Sequence, residues 1–387
     1  MITSRRYDII LFGATGFTGR FVAEHLASLA NAPIWAIAGR DFDKLDALRR
    51  DLGRPELPIV LAEANNEDQV RALAESTRTV LTTAGPFNRH GTELLAACAR
   101  AGTDYADITG DPLWSRKMID RWDGPAQATG ARLLLSAGYD SIPSELGVRV
   151  LQQEALRRWG STLKHIHGRV RVFDIEFSGG SFASARARQD MIDADPSLAA
   201  LLTNPFALTP GFNGTDQPGI GDVRYDPTLD CWVRPFMMAS INTKNVHRSN
   251  VLQGLPYGAH FQYDEMQVVG PGDEGKRQAI ALNAAGVAVD NIPLPGEGPS
   301  RAFCERASFS LLLYGINDAG EMLKLGVTGD RDPGYGATSR MLAETGLLLL
   351  DKPELGQAGV GLPGAVLGDA LVQRLEERGG ILFRFED

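Results

Sequence analysis

Tyr7-Asp-Ile-Ile-Leu-Phe12, Gly13-Ala-Thr-Gly-Phe-Thr-Gly19 and Arg20-Phe-Val-Ala-Glu-His-Leu26 read in turn as a short apolar strand, a glycine turn and an amphipathic helix. A turn of this kind needs glycine where the backbone bends sharply, where it approaches a pyrophosphate and where helix packs on strand. The helix N-terminus then faces the phosphate charge. Gly13, Thr15, Gly16, Phe17, Thr18 and Gly19 are therefore the expected cradle of a dinucleotide, with G-x-x-G-x-x-G spacing in place of the commoner G-x-G-x-x-G.

The second strand, Pro33 to Ala38, bears on which dinucleotide. It ends in Gly39-Arg40, where a site for NAD usually places an acidic residue on the ribose 2′-hydroxyl. Arg40, with Lys44 one helical turn on, can pair with a 2′-phosphate, so the sequence favours NADP. Further βα units follow. Strands are expected at Leu57–Ala62, Thr79–Ala84, Tyr105–Ile108 and Arg132–Ala137, with helices between them. That pattern predicts a Rossmann-type parallel sheet, with chemistry in the loops beyond its strands. Ala84, Gly85 and Pro86 would border the nicotinamide ribose, and the Phe87 ring would wall the site.

Beyond Trp159 the periodicity changes. His165 to Phe177 alternates like an antiparallel strand with one solvated face, and similar runs recur at Cys231–Ile241, Gly258–Val269 and Ala307–Tyr314. Asn317-Asp-Ala-Gly320 between two apolar runs is a hairpin signal. The fold class expected is α/β, a Rossmann domain over 1–158 and a strand-rich α+β substrate domain over 159–332. Helices at 336–350 and 364–378, with a final run at Ile381–Phe385, would pack 333–387 back on the first domain.

Composition narrows the function. A net charge of −9 with no basic run argues against nucleic acid as the partner and leaves a small-molecule substrate. Three scattered cysteines suggest neither disulfides nor zinc, and no apolar run is long enough for an integral membrane segment, so a cytoplasmic protein is expected. The sequence leaves a homo-oligomer open. None of the eight tyrosines has a lysine four residues later, and H-E-x-x-H and G-x-S-x-G are both missing.

Candidate acids and bases follow the strands. His90 titrates near neutral pH, and Asp107, Tyr139 and Asp140 sit after the fifth and sixth strands, facing one crevice. In the second domain Ser181 opens a predicted helix after Ser178-Gly-Gly, while Asn242 and Arg248 follow an apolar run and can hold a substrate carbonyl or carboxylate. Tyr263 and Glu265 alternate on one strand and so share a face.

Taken together, the glycine turn, Ala84-Gly-Pro-Phe87, Tyr105-Ala-Asp-Ile-Thr-Gly110, Ala137-Gly-Tyr-Asp-Ser-Ile-Pro-Ser144 and Asp332-Pro-Gly-Tyr335 resemble the saccharopine dehydrogenase-like oxidoreductases. Pro235-Phe-Met-Met-Ala-Ser-Ile-Asn242 and Val246-His-Arg-Ser249 are similar to the branch containing trans-acting enoyl reductases. The resemblance implies an NADPH-dependent reductase acting on an activated double bond of an enoyl or acyl substrate. Two alternatives stay open: a C–N oxidoreductase acting on an amino-acid imine, and a non-catalytic NADP sensor.

Overall fold

The computed structural model describes residues 5–286 and 292–387. Its strands are β1 (Tyr7–Phe12), β2 (Trp35–Gly39), β3 (Ile59–Leu61), β4 (Thr77–Thr82), β5 (Asp104–Asp107), β6 (Arg132–Leu134) and β7 (His165–Phe173), then β8 (Arg224–Asp226), β9 (Cys231–Pro235), β10 (Gln262–Gly270), β11 (Phe309–Ile316), β12 (Met322–Gly329), β13 (Gly359–Gly361) and β14 (Ile381–Glu386).

Ile9, Ile10 and Leu11 are fully buried, so β1 needs apolar side chains on both faces. It lies inside a parallel sheet ordered β13-β6-β5-β4-β1-β2-β3. The helix Phe17–Ser28 buries Gly19, Val22, Ala23 and Leu26, the spacing of one helical face. With β4 and β2 on either side of β1, the strand order reverses at the tip of β1. A crevice for ligands opens at such a point.

The second sheet runs β14-β12-β11-β7-β10-β9-β8. It is mixed: β7 pairs with β10 in parallel and with β11 antiparallel, which corrects the expectation of an antiparallel run. A parallel pair needs a crossover, and the chain between the two strands supplies helices Gly179–Ala194 and Ala239–Leu252. The expected hairpin forms, β11 pairing with β12 across Asn317–Gly320. Helix Ile142–Trp159 packs on β11 and β12, with Gly147 so close to Leu313 that a Cβ there would lie 2.3 Å from its Cδ1.

The tail serves both sheets. Helix Thr338–Asp351 packs on β4 and on helix Phe17–Ser28, and β13 extends the first sheet beside β6. β14, however, pairs with β12 in the second sheet, so the final run does not return to the first domain as expected. Arg132 fastens this region: its guanidinium bonds Asp104 and the carbonyls of Leu349, Lys352 and Leu355. Among the described residues no helix is long and apolar enough to cross a membrane.

Candidate functional site

The tip of β1 is a tight cradle. Gly13 has φ +83°, and a Cβ on it would sit 2.9 Å from the Ala84 nitrogen; one on Gly19 would sit 2.2 Å from the Gly13 carbonyl oxygen. Gly16 is the N-cap of the helix, and no side chain caps it. The first-turn amides are therefore available to an anion, whose charge the helix dipole favours. Arg40 stands exposed just beyond β2, with no ion pair among the described residues. Lys44, by contrast, lies 3.5 Å from Asp41, the N-cap of its own helix.

Three segments close over the cradle. Helix Gly179–Ala194 reaches the loop after β4 through Arg89–Asp190 at 2.6 Å and Asn88–Met191 at 3.0 Å. Tyr335 lays its ring against Phe17 with centroids 4.8 Å apart. Its hydroxyl accepts from the Ser178 amide at 2.5 Å and meets Ser181 Oγ at 3.0 Å. Asp332 holds that turn through the amides of Tyr335 and Gly336.

A buried polar pocket lies where the loop after β6 meets β10. Glu265 accepts from Tyr263 Oη at 2.7 Å, Ser144 Oγ at 2.9 Å and Asn242 Nδ2 at 2.9 Å. Burial pushes its carboxyl up, opposed by those three donors. Asp140 is half-buried, beside Gly110 and Met238, without a hydrogen bond among the described residues. Burial, then the nearby Glu265 carboxylate, push its carboxyl up to about 7, while Arg188 on helix Gly179–Ala194 opposes them. Arg188 itself has no ion pair among the described residues. Asn242 Oδ1 and Ser141 Oγ are buried without partners.

Residues 9–127 match the saccharopine dehydrogenase NADP-binding domain. The chain is 37% identical, across 406 aligned positions, to a putative trans-acting enoyl reductase of Mycobacterium tuberculosis, covering 97% of each protein. It is 35% identical to a trans-acting enoyl reductase of Mycobacterium bovis, covering 98% of this chain and 97% of that one. The chain belongs to the saccharopine dehydrogenase-like family, in the branch of the trans-acting enoyl reductases. Apo saccharopine dehydrogenase (L-Glu forming) from Saccharomyces cerevisiae shares the fold, with a TM-score of 0.57 at 10% identity over 98% of this chain and 99% of that one.

This family member is an NAD(P)-dependent oxidoreductase with NADP as its cofactor. Its residues fit that group: an uncapped helix N-terminus at Gly16 could take a pyrophosphate, and the exposed Arg40 guanidinium beyond β2 could pair with a 2′-phosphate. Several sequence expectations are corrected. Phe87 is buried, its ring against Trp114 with centroids 5.5 Å apart. Tyr139 is only 4% exposed, with its ring packed on Phe173 and Phe309, and burial pushes its hydroxyl well above the ordinary value. Asp107 has no free face: Thr109 and Ser136 amides and Tyr105 Oη all donate to it, tying the loops after β5 and β6 together.

His90 is half-buried and held below its ordinary value by burial and by Arg40 and Arg89, so it is neutral at pH 7 and a poor proton donor. Ser181 is engaged by Ser178 through its amide and by Tyr335 through its hydroxyl. Arg248 lies inside helix Ala239–Leu252, where an apolar strand end was expected. It is buried and bonds the carbonyls of Leu208 and Val360, a structural role. Asn242, on the same helix, does reach the pocket. The residue whose place the sequence left undecided is Glu265: alternation paired it with Tyr263 but could not say which face was inward.

Proposed function

We propose that the chain reduces an activated carbon–carbon double bond in an acyl substrate, held between the cradle and the polar pocket. NADPH, when bound, supplies a hydride, and the proton that completes the addition is left to the chain. Asp140 is the group suited to hold that proton: its carboxyl, like that of Asp107, is pushed up to about 7, but unlike Asp107 it has no hydrogen bond among the described residues. Glu265 positions Asn242 and keeps Asp140 protonated by like-charge repulsion. Arg188 orients the activating carbonyl. Residues 1–158 then serve the cofactor and 159–332 the substrate, with 333–387 bracing both. Three free, buried cysteines support a reducing compartment such as the cytoplasm.

The observation that carries the reading is the supply of free cations. An amino-acid imine with two carboxylates calls for at least two clamps. Arg188 is free among the described residues, whereas Arg186 pairs with Asp190 at 3.0 Å and Arg248 is walled in. Loss of NADPH absorbance with a panel of enoyl thioesters, set against keto acid plus amine, tests it. Turnover confined to the thioesters is expected; turnover confined to keto acid plus amine replaces this reading with the C–N one.

A further inference from the structure

Alternation along β10 turns Asp264 away from the pocket that holds Tyr263 and Glu265. Because β7 runs parallel beside it, with His167 opposite Asp264 and His165 two residues earlier, both imidazoles share a face with that carboxylate. His165 Nε2 lies 2.8 Å and His167 Nδ1 2.6 Å from one oxygen, Asp264 Oδ1. The imidazole centroids are 3.8 Å apart. Asp264 is fully buried, while the two histidine side chains are 28% and 27% exposed and open on a cavity of about 210 Å³ bordered by Tyr225, Pro227 and Tyr314.

Three candidate ligand atoms gathered about one point are bridged either by two imidazole N–H groups that donate to the carboxylate or by one metal ion. Protons fit badly. His167 Nδ1 also lies 3.2 Å from Arg169 Nη2, which can only donate, so the same nitrogen is asked to accept from Arg169 and to donate to Asp264.

The surroundings suit a ligating carboxylate. Arg169 at 2.7 Å and Arg224 at 2.5 Å both donate to Asp264 Oδ2, which fixes the carboxylate plane and leaves Oδ1 for the ion. Arg169 is balanced in turn by Asp226 at 2.6 Å, which also accepts from Tyr314 at 2.8 Å. Two guanidinium groups and two carboxylates cancel, so affinity would come from the imidazoles and not from net charge. That chemistry selects Zn²⁺, Co²⁺ or Ni²⁺ over Mg²⁺ or Ca²⁺.

We propose that His165, His167 and Asp264 form a site for a divalent cation of the zinc class, completed by water from the adjoining cavity. Its role is structural, fastening β7 to β10 on the side away from Glu265. Chelator-stripped, tag-free protein titrated with Co²⁺ is expected to take one equivalent, giving visible bands that Zn²⁺ abolishes, and Zn²⁺ is expected to raise Tm by mass action. His165→Gln should weaken Co²⁺ binding at least about tenfold, with far-UV circular dichroism and NADPH affinity unchanged. His167→Gln should do the same; if it unfolds, His165→Gln carries the test. Stripped wild-type protein without cobalt bands, or a His165→Gln protein that binds Co²⁺ as tightly as wild type, overturns the site.

Discussion

At the tip of β1 the chain leaves backbone donors open, whereas around Glu265 almost every donor is engaged. The cradle has small residues, a helix N-terminus without a cap and an exposed guanidinium. The pocket has three donors locked on one buried carboxylate and a second carboxyl left without a hydrogen bond. The difference separates two tasks. Gripping an anionic cofactor needs unsatisfied amides at a positive dipole end. Handing over a proton needs a carboxyl whose charged form is disfavoured, which a crowded, dry setting achieves.

The comparison breaks most sharply at Asp140. Asp140→Asn should lower kcat about a hundred- to ten-thousandfold and leave NADPH affinity at the wild-type value. Wild-type kcat should fall as pH rises through about 7, and that limb should vanish in the variant. Stability should fall with rising pH as well, over a lower window. The folded carboxyl near 7 keeps its proton where the unfolded one, near 3.8, has lost it, so wild-type stability drops as pH climbs between those values. Asp140→Asn should therefore raise Tm most above pH 7 and least near pH 4, as thermal melts across pH would show.

At the cradle, Gly16→Val keeps an allowed backbone, since φ is −69°, but puts a side chain over the open amides. NADPH affinity should weaken about a hundredfold, ~2.7 kcal/mol, with kcat at saturating cofactor much less affected. Fluorescence titration measures the first and initial rates the second. Arg40→Ala should cost NADPH about ten- to a hundredfold, the worth of a charge-assisted contact, and leave NADH unchanged. An unaltered NADPH-to-NADH ratio would remove Arg40 from the 2′-phosphate.

The subtlest test uses the two charges that oppose each other at Asp140. Arg188→Ala removes a favourable cation, so the pH limb should move to higher pH and KM should rise. Glu265→Gln removes the like charge, so the limb should move to lower pH. Limbs that stay put in both pH–rate profiles would separate Asp140 from the proton step.

The cradle was legible because its signal is local: strand, glycine turn and helix occupy consecutive residues. The pocket was not, because Ser144, Asn242 and Glu265 are distant in sequence and meet only through packing. Helix Ala239–Leu252 illustrates the difficulty. Ile241 through Asn250 are all buried, polar residues included, so no 3.6-residue stripe distinguishes it from a strand. β13 is three residues of Gly-Val-Gly, too short for any period. Asp107 read as a strand-end acid, and the Ser136 amide that occupies it comes from 29 residues away.

One continuous segment contributes an edge strand to each sheet, β13 to the first and β14 to the second. A swing of one layer against the other would pull on the same tether at both ends. Opening the crevice by such a swing would therefore strain that segment, whereas small adjustments of the segments lying over it would not.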